Sequence, residues 1–419
     1  MLGSDGTVES LGTIFVDPAA YADPVSWHKK AARIRAEAPI LKVDVEGFPT
    51  FWAVTTHADL LEIERNPEIF TNSPAQVLTR QSASFESENP AVKTLIQMDG
   101  EEHHAHRAVV NDWFRPGGIK KLAARIDQLA CDSVDHMSSL GGRCDFMKDV
   151  AVHYPLKVIM AILGLPEGDY PRMLELTQEL FGAEDPDIAR VGEDQSILEV
   201  VADFLHYFSD LNSDRRANPK DDLASVIAGA RIDGKPLPDM DTFGYYLIIA
   251  TAGHDTTSNV IGGALLALLD FPDQLELLRA EPELTPQAAE EFIRYVAPVK
   301  HFLRTCTRRF TVREVTFEPG DLILLSFASA TRDESVFNDA NRLDVRRVSE
   351  SNHLGFGFGR HFCLGAHLAR LEIRSFYREL LGRLEHIELA GDPSWVRANF
   401  VQGPKSIPVA YSLTEVAPS

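Results

Sequence analysis

The stretch from His353 to Ala366 constrains this chain more than any other. It reads His-Leu-Gly-Phe-Gly-Phe-Gly-Arg-His-Phe-Cys-Leu-Gly-Ala, so a single cysteine, Cys363, stands in a run of glycines and phenylalanines. The basic residue His361 lies two positions before it. The residues that follow, Leu364 to Leu381, are strong helix formers with an amphipathic pattern. The sulfur is therefore predicted to sit in a glycine-rich loop that runs straight into a helix N-terminus. There the backbone N–H groups and the helix dipole favour a thiolate over a thiol. Flanking glycines let a flat ligand approach the backbone, and Phe356 and Phe362 are placed to shield the sulfur from water. Most free cysteines are small buried hydrophobes; the residues around this one argue for more. A shielded thiolate aimed at an open face suits an axial ligand to haem iron.

Bulk properties narrow the class. A chain of 419 residues is longer than one ordinary core supports, so one large two-lobed domain or two domains are expected. The net charge of −21 argues against nucleic acid or anionic membrane surfaces as main partners. No apolar run reaches the length of a membrane span. The start, Met1-Leu-Gly-Ser-Asp-Gly, has no basic or apolar signal region. The four cysteines, Cys131, Cys144, Cys306 and Cys363, form neither a disulfide framework nor a CxxC site. A reducing, cytoplasmic setting is expected.

Along the chain, Pro24–Ala38 reads as a helix, Gly47–Thr55 as a short strand and His57–Asn66 as a short helix. Asn72–Gln97 is polar and long enough to be a lid or binding loop. From Glu101 to about Ser209 the pattern is helical, with breaks at Pro116-Gly-Gly118, Gly141-Gly142 and Pro166; Gly182–Asp194 is a charged break between two helices. Asp239–Leu269 is predicted as one helix of roughly eight turns. Thr285–Val296 is another helix, and Phe310–Phe327 alternates as strands do around Glu318-Pro-Gly320. Short strands close the chain, with turns near Gly391-Asp-Pro393 and Gly403-Pro404. These features predict a mainly α fold with a small β-rich lobe, as one domain over 1–419.

The long helix carries Ala252-Gly-His-Asp-Thr-Thr257. Glycine inside a helix costs about 1 kcal/mol against alanine, and an acid followed by two hydroxyls is unusual in apolar surroundings. The segment suits a local widening in which a side-chain hydroxyl replaces a backbone partner and leaves room for a ligand. A tolerated kink with Asp255 on a solvated face is the plainer alternative. Glu291-Phe-Ile-Arg294 places an acid and a base on one helix face, where they can pair.

Together these segments resemble the cytochrome P450 superfamily. Phe356, Gly359, His361, Cys363 and Gly365 occupy the five diagnostic positions of its haem-binding signature, a match expected by chance in on the order of one chain in ten thousand. The resemblance runs over nearly the whole chain. It implies the P450 fold, with haem b between the long central helix and the cysteine loop and Cys363 as the iron ligand. It implies that Thr256 hydrogen-bonds iron-bound dioxygen while Asp255 feeds protons inward. His103, Arg107, Arg304 and His361 match positions that hold the haem propionates, and Ala252 lies against the cofactor. Glu291 and Arg294, with Arg342 in the following meander, resemble a buried network that braces the cysteine loop; Ala340 and Leu343 replace the proline and phenylalanine common there.

Positions above the haem supply pocket candidates: Ile248, Thr251 and Ala252, then Val299 and Phe302, then Phe400 and Val401, with Leu78 and Phe181 as weaker members. Their sum is apolar and partly aromatic, which implies a compact hydrocarbon-like substrate; Lys300 and His301 stand outside this set. Cys144-Asp-Phe-Met, Leu176–Gly182 and Ala297–Thr305 look closest to the alpha-terpineol-hydroxylating branch, which implies monoterpenoid or small aromatic substrates. Arg107, Arg115, Lys120, Lys121 and Arg125 form a basic island in an acidic chain. On this fold it would flank the cysteine side and steer an acidic iron–sulfur ferredoxin, itself reduced by an NAD(P)H-dependent reductase. The implied activity is monooxygenation with O2; a peroxide-driven peroxygenase and a haem-based ligand sensor or carrier are the alternatives.

Overall fold

A computed structural model describes residues 7–80, 92–181, 196–347 and 353–414. Helices dominate, and the largest buried cluster joins Gly100–Phe114, Pro116–Ser139, His153–Leu163, Asp239–Ala252, Asp255–Asp270, Thr285–Val296 and Ala366–Arg383. This is the α-rich body expected. A smaller lobe is built on a five-stranded sheet in the spatial order Ile40–Val43, Phe51–Val54, Leu322–Ser326, His301–Cys306 and Phe70–Thr71. Leu322–Ser326 runs parallel to Phe51–Val54 and antiparallel to His301–Cys306. A second sheet joins Leu384–Leu389, Pro408–Leu413 and Arg143–Asp145.

Local chemistry explains several boundaries. Asp23 accepts from Ser26 N ahead of Pro24, so Pro24–Glu37 starts with a side-chain cap and a proline whose missing N–H is not needed. Thr56 caps His57–Glu64. The strand expected over Gly47–Thr55 is confined to Phe51–Val54, and the one expected over Phe310–Phe327 is three strands, Phe310–Val312, Val315–Phe317 and Leu322–Ser326. His301–Cys306, a central strand, was not anticipated; it follows a helix so closely that its short apolar pattern is masked.

The expected single helix over Asp239–Leu269 is two helices, Asp239–Ala252 and Asp255–Asp270. The break falls at Gly253 and His254. A side chain on Gly253 would meet Ile159 Cδ1 at 2.4 Å, so His153–Leu163 lies close enough to the break that Ile159 would have to shift for any larger residue. Thr256 Oγ1 donates to Ala252 O at 2.9 Å, which supplies the hydroxyl-for-backbone exchange anticipated for this segment. The break leaves a notch on the side facing the cysteine loop. Within the loop Asn72–Gln97, Leu95–Gln97 forms one turn with a capping box from Thr94 and Gln97; residues 81–91 lie outside the described residues, as does the whole of Gly182–Asp194.

Candidate functional site

Cys363 lies in the loop ahead of Ala366–Arg383, as the sequence predicted. Its N–H donates to Phe356 O at 2.9 Å, and the Phe356 and Phe362 rings meet edge to face at 6.1 Å. Gly359 has φ +70°, and a side chain there would press on Glu64 O at 2.8 Å. Burial pushes the Cys363 thiol up, against the opposing pull of the Gly365 N–H, Arg107 and Arg370. Burial thus opposes the thiolate that the helix start favours; a metal cation bound to the sulfur would favour it.

Cys363 faces a cavity whose wall also contains His103, Arg107, Ile248, Ala252, Thr256, Val299, Phe302, Arg304, Phe356, His361 and Gly365. Residues from distant parts of the chain, Glu64 to Ile373, thus share one chamber. Its two ends differ. One is basic: His103 is buried and stacks on His361 with ring centres 4.2 Å apart. Burial, with His361 and Arg107 adding to it, pulls the His103 pKa down to about 4. Arg107 reaches across to donate to Phe362 O at 2.7 Å, so it belongs to the cysteine loop and not to a surface island. The other end, around Ile248, Ala252, Val260, Val299, Phe302 and Phe327, is apolar.

The sequence reading missed two acids at the basic end. Glu64 pairs with Arg304 at 2.5 Å, both nearly fully buried, and Asp99 Oδ1 lies 3.9 Å from His361 Nε2. It also missed Glu372 in the cavity wall, whose buried carboxyl is pushed well above its ordinary range. No local pattern marks any of the three, because each becomes a site residue only through long-range packing.

Some candidates lie elsewhere. Thr251 is buried, but its hydroxyl turns back to Leu247 O at 2.7 Å and it is absent from the cavity wall. Phe400 and Val401 stand one layer behind: Phe400 packs on Phe302 at 5.3 Å, and Val401 bridges to Val299. Leu78 is part of the β-lobe core, and the Phe181 side chain lies outside the described residues. Asp255 also sits off the cavity wall, with His254 Nδ1 3.2 Å from its Oδ1. Lys300 donates to Val296 O and Ala297 O at the end of Thr285–Val296, and burial pulls its pKa down to about 7.

The bracing network differs from expectation in one partner. Arg294 clasps Glu291 through two 2.7 Å bonds and also donates to Thr331 O and Ala340 O. The third member is Arg347, 3.2 Å from Glu291, because Arg342 turns outward to pair with Asp273 on the surface. Arg342 contributes only its carbonyl, which accepts from Arg294. Ala340 and Leu343 are buried in this meander. The cysteine loop itself is held by the preceding acid, Glu290, which bonds Arg370 at 2.5 Å and His353 at 3.1 Å. Arg370 in turn covers the Phe356 ring at 4.6 Å.

These residues fit haem. Side chains added at Gly357 and Gly365 would find their nearest protein atoms only at 3.9 and 4.0 Å, so both backbones face open space beside the sulfur. A thiol at the centre and two arginines and two histidines at one edge match a flat iron macrocycle bearing two carboxylates.

Residues 66–409 match the profile of the cytochrome P450 family. The chain is 39% identical to Cytochrome P450-terp from Pseudomonas sp, over 96% of this chain and 98% of that one. It is 30% identical to Linalool 8-monooxygenase from Pseudomonas putida, over 94% and 97%. The crystal structure of CYP108D1 from Novosphingobium aromaticivorans superposes with a TM-score of 0.89 at 37% identity, covering 97% of this chain and 99% of that one. Fold and site thus define a haem-dependent monooxygenase. The chain belongs to the cytochrome P450 family, whose members carry haem b and use O2 with a redox partner.

Proposed function

We propose that this monooxygenase hydroxylates a compact apolar substrate, a monoterpenoid or small aromatic hydrocarbon. The observation that carries the reading is the apolar end of the cavity, where Ile248, Ala252, Val299 and Phe302 stand near Thr256 without a charged anchor for a polar substrate. Two relatives, named Cytochrome P450-terp and Linalool 8-monooxygenase, support it.

When bound, haem b supplies the iron at which O2 is activated for insertion into a C–H bond. Cys363 is its proposed thiolate ligand, with Phe356 shielding the sulfur and Gly365 and Ala252 leaving space for the ring. His103, Arg107, Arg304 and His361 are its proposed propionate partners. The Thr256 hydroxyl proton is committed to Ala252 O, so its oxygen is free to accept a hydrogen bond from a group in the cavity. Asp255, adjacent and half-buried, is the proposed proton source. Such a relay is needed because oxygen cleavage consumes protons at a defined atom.

Electrons come, in this reading, from an iron–sulfur ferredoxin reduced by an NAD(P)H-dependent reductase. Lys120 and Lys121 are exposed on Pro116–Ser139, the helix that packs on the cysteine helix. Arg115 and Arg125 flank them, although each already pairs with an acid, Asp112 and Glu167. Among the described residues no helix is long and apolar enough to cross a membrane. All four cysteines are free, which suits a reducing cytoplasm. We read residues 1–419 as one domain.

Spin-state titration of the holoprotein with terpenes, small arenes, steroids and long fatty acids tests the substrate class. Compact hydrocarbons are expected to bind; tighter binding of steroids or fatty acids overturns it. For the partner, reduction by ferredoxin is expected to slow with rising salt and on Lys120→Glu. Insensitivity to both removes the docking proposal.

A further inference from the structure

We propose that His254 and Asp255 hold one proton between them and act as a unit, with His254 setting the charge on Asp255 and drawing a new proton to the pair once one is given up. This rests on the reading of Asp255 and Thr256 as the proton route. His254 lies in the break between the two central helices and its side chain is 0% exposed. Its Nε2 stands 2.8 Å from Val152 O. A carbonyl only accepts, so Nε2 must carry hydrogen.

That assignment fixes the other nitrogen. In a neutral ring, Nδ1 then bears a lone pair, and it faces Asp255 Oδ1 at 3.2 Å. Two lone pairs at that distance repel. The contact is favourable only as imidazolium with carboxylate or as neutral ring with carboxylic acid, and both forms hold one proton in total. His254 Nδ1 makes no aligned hydrogen bond, so its 3.2 Å approach to Asp255 Oδ1 is a charge contact, and Asp255 Oδ2 has no hydrogen-bond partner either. Burial pushes the Asp255 carboxyl up and His254 pulls it back down.

Other titratable groups on the elements packed here are engaged elsewhere. His153 contacts the Tyr170 hydroxyl, and Lys157 covers the Tyr170 ring. Lys148 pairs with Asp145, and Asp149 accepts from Asp145 N. On the cysteine helix, burial alone drives the Glu372 shift, and Asp255 is not among its causes.

Asp255 keeps 15% of its side chain exposed, while Thr256 lines the cavity. The unit therefore stands beside the reacting space. Asp255 passes its proton toward the Thr256 hydroxyl, which leaves a carboxylate facing a neutral His254 ring. Repulsion between that carboxylate and the Nδ1 lone pair raises the pair's affinity for a proton. One taken from bulk solvent then restores the count, so one enters for each one delivered.

The test compares holoprotein carrying His254→Gln, Asp255→Asn or both. Glutamine keeps a donor toward Val152 O but offers nothing that titrates. His254→Asn is the second variant, with an amide toward Asp255 and no titration. Product formed per electron consumed, and the thermal unfolding midpoint, are measured across pH. Each His254 variant is expected to lose coupling by about tenfold or more, to alter both pH profiles, and to add nothing on top of Asp255→Asn. Wild-type coupling and profiles in both His254 variants, or losses that multiply in the double variant, overturn the proposal. Wild-type coupling in Asp255→Asn instead overturns the proton route on which it stands.

Discussion

On the cysteine side of the cavity, Glu290 ties Arg370 and His353 together, Arg107 grips Phe362 O, and Cys363 N–H holds Phe356 O. On the facing side, the broken helix has Thr256 donating to Ala252 O, with unaligned polar atoms on His254 and Asp255. The walls above it are Ile248, Val299 and Phe302. One side is over-determined by charge-assisted bonds between distant segments; the other retains slack. A sulfur that must hold one position benefits from the first arrangement. A chamber that must admit substrate and pass protons needs the second, since fully satisfied polar networks rigidify their surroundings.

The largest expected effect removes the centre of the rigid side. Cys363→Ala is expected to abolish the red-shifted band of the reduced carbon monoxide complex; a variant that keeps it would break the comparison at its root. Next in size, Arg294→Ala strips buried Glu291 of its two shortest bonds, leaving Arg347 as its one charged partner, and is expected to destabilise the protein by about 3–5 kcal/mol in thermal or denaturant unfolding. Arg342→Ala, by contrast, removes an exposed pair and is expected to stay within about 1 kcal/mol. Equal losses from the two would mean that the meander is not held by the clasp described here.

On the slack side, Thr256→Ala is expected to leave stability near wild type and to lower product per electron about tenfold, below the usual range of acid–base contributions. A large loss of stability with intact coupling would make this residue a brace, erasing the contrast. The last effect appears only in acid and concerns His301, which accepts from Leu78 N at 3.1 Å and so must be neutral. Burial holds its pKa at about 4, below the ordinary 6.5. The unfolded chain takes the proton first, so this contribution is intact above about pH 6.5 and drains as pH falls toward about 4. At about 1.4 kcal/mol per unit it amounts to about 3 kcal/mol at most. Denaturant unfolding of wild type and His301→Gln across that window checks it, with the shallower slope expected in the variant.

Much of the site could be read in advance where the chemistry is local. The glycines around Cys363, the helix formers after it, and the Gly253–Thr256 interruption each act within a turn or two. Reading failed where a residue's role depended on what packs against it. Arg342 and Arg347 lie in one short basic meander, and sequence offers no reason to prefer the second; the structure turns the first toward Asp273 and the second toward Glu291. Thr251 and Thr256 sit on the same helical stretch, yet only the second lines the cavity. Phe400 was placed in the pocket and stands behind Phe302.

The sequence alone therefore determined the loop, the helix it feeds, a local widening near Gly253 and the family to which they belong; that the central helix is broken in two came from the structure. Propensity, backbone freedom and spacing operate over short distances and survive in one dimension. Only the tertiary structure decided which acid meets which base, Glu64 with Arg304 and Glu290 with Arg370, and which carbonyl His254 reaches, that of Val152. Those choices follow from burial, which sets the dielectric around each charge and leaves a buried group no partner but the one packing brings to it.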